Sequence, residues 1–276
     1  MKRFGVVGSP VAHSQSPAMF EAAFHALGWR DHRYERIELP GSGKEIVQAL
    51  RELAHQYDGL NVTAPHKESA FHASFVSDAD TSAIRAVNVL YRREGEGGWG
   101  GESTDLPALI LELSEWLKPA LPRTEVRRAI VLGGGGMART AVQALLRKGV
   151  ECIEVRVRGS HSLAPSASWT QGIWGAPLPD DTDLVVQATS DGNAGVSDGK
   201  NVLAAMDWSA RSEARPFVYE SIYSPSETPI LALAKSRGYP FANGRGLLLG
   251  QAVLAFQRWF GVEAPEAAMR AALEGV

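Results

Sequence analysis

The sequence predicts an α/β protein of two domains, and three observations carry that prediction. Short apolar runs alternate with amphipathic stretches along the chain, the rhythm of a sheet whose strands are joined by helices. A new unit opens near residue 127 with an apolar strand, a run of glycines and a clean helical pattern. A length of 276 residues, 45% of them hydrophobic, supplies cores that stand without disulfides or a structural metal.

Taken in order, residues 4–8 read as a strand that stops at a Gly-Ser-Pro turn. Residues 17–27 read as a helix started at Ser16, with Pro17 in the first turn where its missing N–H is no loss. Residues 33–37 form a second strand, 43–53 a polar-faced helix, 59–62 a brief strand, 67–75 a helix and 86–90 a strand. The glycines of residues 94–101 offer little side-chain material to a core and predict a surface turn. Residues 106–117 read as a helix and 118–124, with two prolines, as a connector. In the second unit, residues 129–132 are a strand and 137–146 a helix stopped by Gly149, followed by strands at 153–157, 184–188 and 217–222. Residues 161–179 lack a clear period and predict surface chain. Helices over 229–237, 247–260 and 265–273 close the sequence, the last available to pack back on the first domain.

Composition excludes several functions. With 28 Lys+Arg against 31 Asp+Glu, net charge is −3 and no basic footprint for a nucleic acid exists. The single Cys152 rules out an internal disulfide and cysteine-rich metal or iron–sulfur sites. The seven histidines share no ligand spacing, so His13 and His66 are assigned to loops and turns and no metal is expected. The first apolar run breaks at Gly8, Ser9 and Pro10, too early for a signal sequence, and no segment approaches the roughly 18 apolar residues of a membrane span, so the expected location is the cytoplasm.

The glycine turn carries the first chemistry. Gly133, Gly135 and Ala138 match the spacing G-x-G-x-x-[GA] between a strand and a helix, where small residues admit a pyrophosphate to a helix N-terminus. This defines a Rossmann-like dinucleotide-binding unit. At the end of the next strand stand Arg156 and Arg158, suited to a 2′-phosphate, which favours NADP; the competing residue Glu154 would favour NAD. In the first domain, Ser14 and Ser16 offer hydroxyls to an anionic substrate, or else a helix cap, for which Ser16 is the better placed. Asn61, Thr63 and Lys67 lie in NVTAPHK, and Asp105 follows the glycine-rich segment, as a helix-start residue or as a partner for Lys67. If Lys67 and Asp105 converge, they form a proton-handling pair beside a carbon that exchanges hydride. Trp259 and Phe260 sit on an amphipathic helix and are assigned to the core, whereas Gln251 on the same helix is less readily explained by packing.

These segments together, GVVGSPVAHSQSP, GLNVTAPHK, IRAVNVL, GESTD, VLGGGGMAR, VVQATSDG, YSPSETPIL and GRGLLLGQAVLAFQRWFG, resemble the shikimate dehydrogenase family across nearly the whole chain. The resemblance implies an α/β substrate domain and a Rossmann-like domain separated by a cleft, with residues 1–106 and 247–276 binding substrate and 107–246 binding NADP. It implies reversible reduction of 3-dehydroshikimate to shikimate in aromatic amino acid biosynthesis, by Lys67 and Asp105, with Ser14, Ser16, Asn61, Thr63, Asn88, Tyr223 and Gln251 on the substrate. Gly133, Gly135, Gly136, Ala138, Arg139, Arg158, Thr189 and Gly244 fall at the cofactor positions, with NADP(H) as cofactor and NAD as the alternative. Departures from the family pattern are Val157 and Gly159 around Arg158, Gln187 and Asn193 in VVQATSDGN, and Ser103 and Leu106 beside Asp105. A dehydrogenase for quinate or another hydroxylated cyclic carboxylate is the alternative substrate reading, a non-catalytic nucleotide-binding regulator the alternative class, and a homodimer is the assembly considered.

Overall fold

The computed structural model describes residues 1–93, 95, 97–120, 125–159, 168–208 and 215–275, with the side chains of 119 and 120 outside the description. The chain forms two compact units, Met1–Ala108 with Leu249–Val276, and Leu109–Leu248.

The first unit begins with β1 (Lys2–Gly8), α1 (Ser16–Ala26), β2 (His32–Glu38), α2 (Gly43–Leu53), β3 (Gly59–Val62), α3 (Lys67–Ala73), β4 (Ser74–Phe75), α4 (Ala79–Ile84), β5 (Val89–Arg92) and β6 (Trp99–Glu102). Helix α5 (Asp105–Ala120) crosses into the second unit, which holds β7 (Arg128–Leu132), α6 (Gly136–Arg147), β8 (Cys152–Arg156), β9 (Thr170–Gly172), β10 (Leu184–Gln187), α7 (Lys200–Leu203), β11 (Phe217–Glu220), α8 (Pro229–Ser236) and β12 (Phe241–Ala242). Helix α9 (Arg245–Phe260) crosses back, and α10 (Glu266–Glu274) packs against α1.

The first sheet has the order β2-β1-β3-β5-β6-β4; β1 runs parallel to β2 and β3, and β5 is antiparallel to both of its neighbours. One face is covered by an aromatic cluster in which Phe4 and Phe20 meet Phe256, Trp259 and Phe260 from the far end of the sequence, with Phe4 and Trp259 ring centroids 5.0 Å apart. Trp259 and Phe260 therefore pack, half-buried, into this cluster, as their helical spacing predicts. The other face buries Ile46, Leu50, Leu60, Val62, Ala70 and Trp99.

The second sheet is parallel throughout, with order β12-β11-β10-β7-β8-β9. Read from β9 and counted within the unit, this is the doubly wound order 3-2-1-4-5-6. The order reverses between β7 and β10, so the loops leaving these two strands diverge and open a crevice at their carboxyl ends. Parallel strands covered on both faces are apolar along their length, and Ile130, Leu132, Val185 and Val218 are fully buried.

Several local expectations are corrected. The segment 94–101, expected as a surface turn, contains the start of β6; Glu94 and Glu96 lie outside the described residues. Trp99 is buried and donates its indole N–H to Leu50 O at 2.6 Å, while Gly100 and Gly101 lack side chains because Tyr91 and Ser74 occupy that space. The helix expected over 67–75 ends at Ala73, and Ser74 and Phe75 turn into a short strand beside β6. The strand expected at 86–90 runs from Val89 to Arg92; Val87 N turns to Lys67 O at 2.9 Å, while Asn88 still bonds Val62 and Glu102 through its backbone. Helix α4 gave no apolar period but has a side-chain cap, Asp78 Oδ1 accepting from Thr81 N at 2.6 Å. Helix α5 continues through residues expected as connector, of which 121–124 lie outside the described residues, as do 161–167 of the expected surface chain. The remainder of that chain includes β9.

Gly59 lies under the Trp259 indole, and a Cβ there would fall 2.5 Å from Nε1, displacing the ring that donates to Leu90 O at 3.0 Å. Gly59→Ala is expected to lower stability by about 1–3 kcal/mol in chemical denaturation; an unchanged midpoint would show that the indole can relocate freely.

Candidate active site

In the first unit, five segments that sequence marks separately form one polar cluster. Lys67 is the first residue of α3 and Asp105 the first of α5, a placement that suits a carboxylate by the helix dipole. Lys67 Nζ donates to Asp105 Oδ2 at 2.6 Å, with the lysine side chain 22% exposed and the aspartate 8%. The pair thus converges as the proton-handling reading requires, with the ammonium on the open side.

Asn88 holds the pair in place. Its Nδ2 lies 3.1 Å from Asp105 Oδ1, 2.9 Å from Thr104 Oγ1 and 3.2 Å from Gln251 Oε1, and its Oδ1 accepts from Thr104 N at 2.7 Å. Thr104 Oγ1 lies 3.1 Å from the backbone oxygen of Gln251, which ties α9 to the same point. Asn61, buried in β3, donates to Asn88 O at 3.4 Å and accepts from the Tyr34 hydroxyl at 2.6 Å. Tyr34 is fully enclosed, and burial pushes its phenol well above the usual range, so it remains a neutral donor. Ser16 is hydrogen bonded to the same phenol.

Ser14 and Ser16 are both buried, and Ser16 N donates to Ser14 Oγ at 3.3 Å. The cap residue of α1 is Gln15, without a side-chain hydrogen bond, and Ser16 is its first helical residue; the capping role expected of Ser16 is not what its hydroxyl does. Thr63 follows β3, half-buried, with its N–H bonded to Val7 O at 2.8 Å. His66, expected in a surface loop or turn bond, is buried, and its Nε2 lies 2.6 Å from Leu39 O, a long-range contact. Among the described residues no group of three His, Cys, Asp or Glu is placed to hold a metal ion.

In the second unit, Gly133 takes φ +125°, and a Cβ on it would lie 3.0 Å from Ala188 O and 3.0 Å from Thr189 Cγ2, at the point where the strand order reverses. Gly135 is the cap residue of α6 and has neither a side-chain cap nor any atom in the space a Cβ would fill. Among the described residues no side chain caps the first N–H groups of α6, over Gly136, Met137 and Ala138, and the first turn holds no acidic residue, which suits an anion. This is a fit for the pyrophosphate of a dinucleotide. Gly244 packs its backbone on Ser221, with its N–H bonded to Ile222 O at 3.0 Å, and Arg139 lies in the first turns of α6.

The two strand-end arginines divide. Arg156, read as a phosphate partner, is buried; its Nε donates to Glu154 Oε1 at 2.7 Å and its Nη atoms to Ala176 O at 2.6 Å and Pro177 O at 3.0 Å. It is a structural cation, and the same bond occupies Glu154, the residue that would have favoured NAD. Arg158 is exposed and has no hydrogen bond or ion pair among the described residues.

Sequence reading missed Tyr34, Thr104 and Glu220. Thr104 sits inside GESTD, so its neighbour gave the only available signal; Tyr34 lies among polar residues in HRYERIE and Glu220 ends the strand FVYE, and neither belongs to a motif. Glu220 is fully buried at the end of β11, accepting from Ile222 N and from Thr228 Oγ1, each at 2.9 Å. It thereby pins both ends of the segment that carries Tyr223, and Gln187 at the end of β10 similarly accepts from Thr189 N. Burial raises the Glu220 carboxyl to about 8.

Comparisons with known proteins agree with this arrangement. Residues 6–90 match the family model for the shikimate dehydrogenase substrate binding domain, and residues 244–274 that for the shikimate 5'-dehydrogenase C-terminal domain. The chain is 36% identical over 276 residues to the shikimate dehydrogenase (NADP(+)) of Chelativorans sp., covering 95% of this chain and 91% of that one. It is 33% identical to the protein of the same name from Dictyoglomus thermophilum, covering 96% and 94% of the two chains. Among solved structures, shikimate 5-dehydrogenase from Thermus thermophilus in complex with NADP(H) and shikimate gives a TM-score of 0.79 at 29% identity, covering 100% of this chain and 99% of that one. A doubly wound dinucleotide unit joined to an α/β unit with a lysine–carboxylate pair defines a two-domain nicotinamide-dependent oxidoreductase. Within that class, the chain belongs to the shikimate dehydrogenase family.

A carboxyl raised by burial makes the folded protein hold a proton that the unfolded chain releases, so the Glu220 contribution weakens stability as pH rises from about 4.5 towards 8. Glu220→Gln removes that dependence. Its unfolding free energy relative to the wild type is expected to rise by at least about 1 kcal/mol between pH 5 and 8.5 in urea titrations; a pH-independent difference would place the Glu220 carboxyl in the ordinary range.

Proposed function

We propose that the protein catalyses the reversible, NADP-linked reduction of 3-dehydroshikimate to shikimate. The observation that carries this reading is the 2.6 Å Lys67–Asp105 pair, which keeps a partly exposed ammonium on a chain whose relatives bear that activity in their names. The substrate-binding region is residues 1–106 with 247–276, and the dinucleotide region is 107–246.

NADPH, when bound, supplies the hydride that enters the ketone carbon. Lys67 donates a proton from Nζ to the carbonyl oxygen as that carbon is reduced, and takes it back in the oxidation direction. Asp105 keeps the ammonium aimed through Oδ2, while its Oδ1 is fixed by Asn88. Such positioned proton transfer contributes on the order of 10²–10⁴-fold to rate. Ser14 and Ser16 bind the substrate carboxylate, and Asn61, Thr63, Asn88, Gln251 and Tyr223 read its ring hydroxyls. The N-terminus of α6 holds the pyrophosphate, through Gly133, Gly135, Gly136, Ala138 and Arg139, with Thr189 and Gly244 completing the cofactor contacts. Arg158 meets the 2′-phosphate. The bond from Arg156 to Glu154 Oε1 supports NADP over NAD, since it engages one oxygen of the carboxylate that would accept ribose hydroxyls.

The enzyme acts on a small hydroxylated cyclic carboxylate in the cytoplasm, without nucleic-acid or membrane partners, and a homodimer is consistent with this role. No helix among the described residues is long and apolar enough to cross a membrane.

The experiment is the initial rate of oxidation of shikimate and quinate, each with NADP+ and NAD+, followed by absorbance of the reduced nicotinamide. Shikimate with NADP+ is expected to dominate, and Lys67→Ala to lose about 10²–10⁴-fold in kcat with NADPH affinity retained; quinate dominance would reassign the substrate, and a fully active variant would remove Lys67 from the chemistry. Arg158→Ala is expected to weaken NADPH roughly tenfold while leaving NADH unchanged, in fluorescence titrations; equal proportional losses would put the discrimination elsewhere.

A further inference from the structure

The turn bearing Ser14 and Ser16 is held by a residue that neither the motifs nor the relatives' names single out. Arg36, exposed on β2, donates from Nε and Nη2 to the backbone oxygen of Ser14 at 3.1 and 2.6 Å. Both bonds go to a neutral acceptor. The third nitrogen, Nη1, has no protein partner, and the guanidinium makes no ion pair among the described residues.

The carboxylates that flank it are engaged elsewhere. Glu35 pairs with Arg3 at 2.7 Å. Glu38, two residues further along the same strand face, accepts from Ser9 Oγ at 2.6 Å and from Val11 N at 2.9 Å, with both oxygens turned to the start of the same turn. Those bonds hold the Glu38 carboxyl below its ordinary range, so it stays anionic without neutralising Arg36. The arrangement is a fixed turn of two buried serines, with the Glu38 carboxylate bonded at its start and, on the backbone oxygen of Ser14, a guanidinium that makes no ion pair among the described residues. Serine hydroxyls alone bind a carboxylate and a neutral ester or amide with similar geometry; a fixed cation distinguishes them, because its attraction requires the ligand's charge.

We propose that Arg36 is the specificity-determining charge of the carboxylate subsite, selecting anionic over neutral cyclic substrates through its unpaired guanidinium beside Ser14 and Ser16. This rests on the functional reading above and deepens it.

The test compares shikimate with its neutral methyl ester in the intact wild-type enzyme, Arg36→Met and Arg36→Lys, with NADP+. In the methionine variant the KM for shikimate is expected to rise about tenfold more than that for the ester, which uses the same turn without the charge, with kcat within twofold. The lysine variant is expected to recover most of the loss. Raising ionic strength is expected to increase the wild-type KM for shikimate and to leave that of the methionine variant unaffected. A parallel rise for acid and ester would show that Arg36 only shapes the turn, and unchanged values for both would show that its charge is not felt; either result overturns the inference while leaving the functional reading standing. Absence of shikimate turnover by the wild-type protein would overturn the functional reading, and this inference with it.

Discussion

A primary amide removed from water must find partners for both its oxygen and its N–H groups, and Asn88 does so by drawing together segments distant in sequence. Its carbonyl takes the N–H of Thr104, which fixes where α5 begins; its Nδ2 reaches Asp105 and Gln251, which fixes the carboxylate and the facing turn of α9. The Lys67–Asp105 distance is therefore set by a residue that need not touch a reacting atom. Asp105 has two oxygens with two different tasks, one held by Asn88 and one presented to Lys67, and a carboxylate so divided has little freedom to rotate. The further bonds from Asn61 to Tyr34 extend the same constraint to the strand that carries Arg36.

Much of this was legible in the sequence because it depends on local chemistry. The glycine turn at 133–136 is readable from composition alone, since only small residues admit both the positive φ of Gly133 and an open helix terminus at Gly135. Apolar periodicity located most helices and the parallel strands for a similar reason. What failed were positions where a distant partner decides. Gly100 and Gly101 look like turn residues until Tyr91 and Ser74 are seen to need the room. Lys67 and Asp105 were visible as candidates, but their convergence required Asn88, and no spacing rule encodes a hydrogen bond between residues at the ends of different elements.

Arg156 and Arg158 show the same limit at higher cost. Two residues apart on one strand end, they are equivalent as sequence, yet one is enclosed by Glu154 and two carbonyl oxygens and the other faces water. A buried guanidinium requires compensation from every direction, and its neighbours must be arranged for it. The cation left for a ligand is the one for which the protein has made no such arrangement. Arg36 and Arg158 share that property, neither making an ion pair among the described residues.

The aromatic cluster under the first sheet has a consequence for biosynthesis of the chain. Phe4, Phe20 and Phe24 leave the ribosome early, but Phe256, Trp259 and Phe260, which complete their packing, follow only after the whole of residues 109–248. At ordinary elongation rates that interval is roughly ten seconds. During it the second unit, contiguous in sequence, has all it needs to fold, while the first presents a half-built aromatic surface. The aromatic core of the first unit is thus the last to be completed, although its first residues are the first to be made.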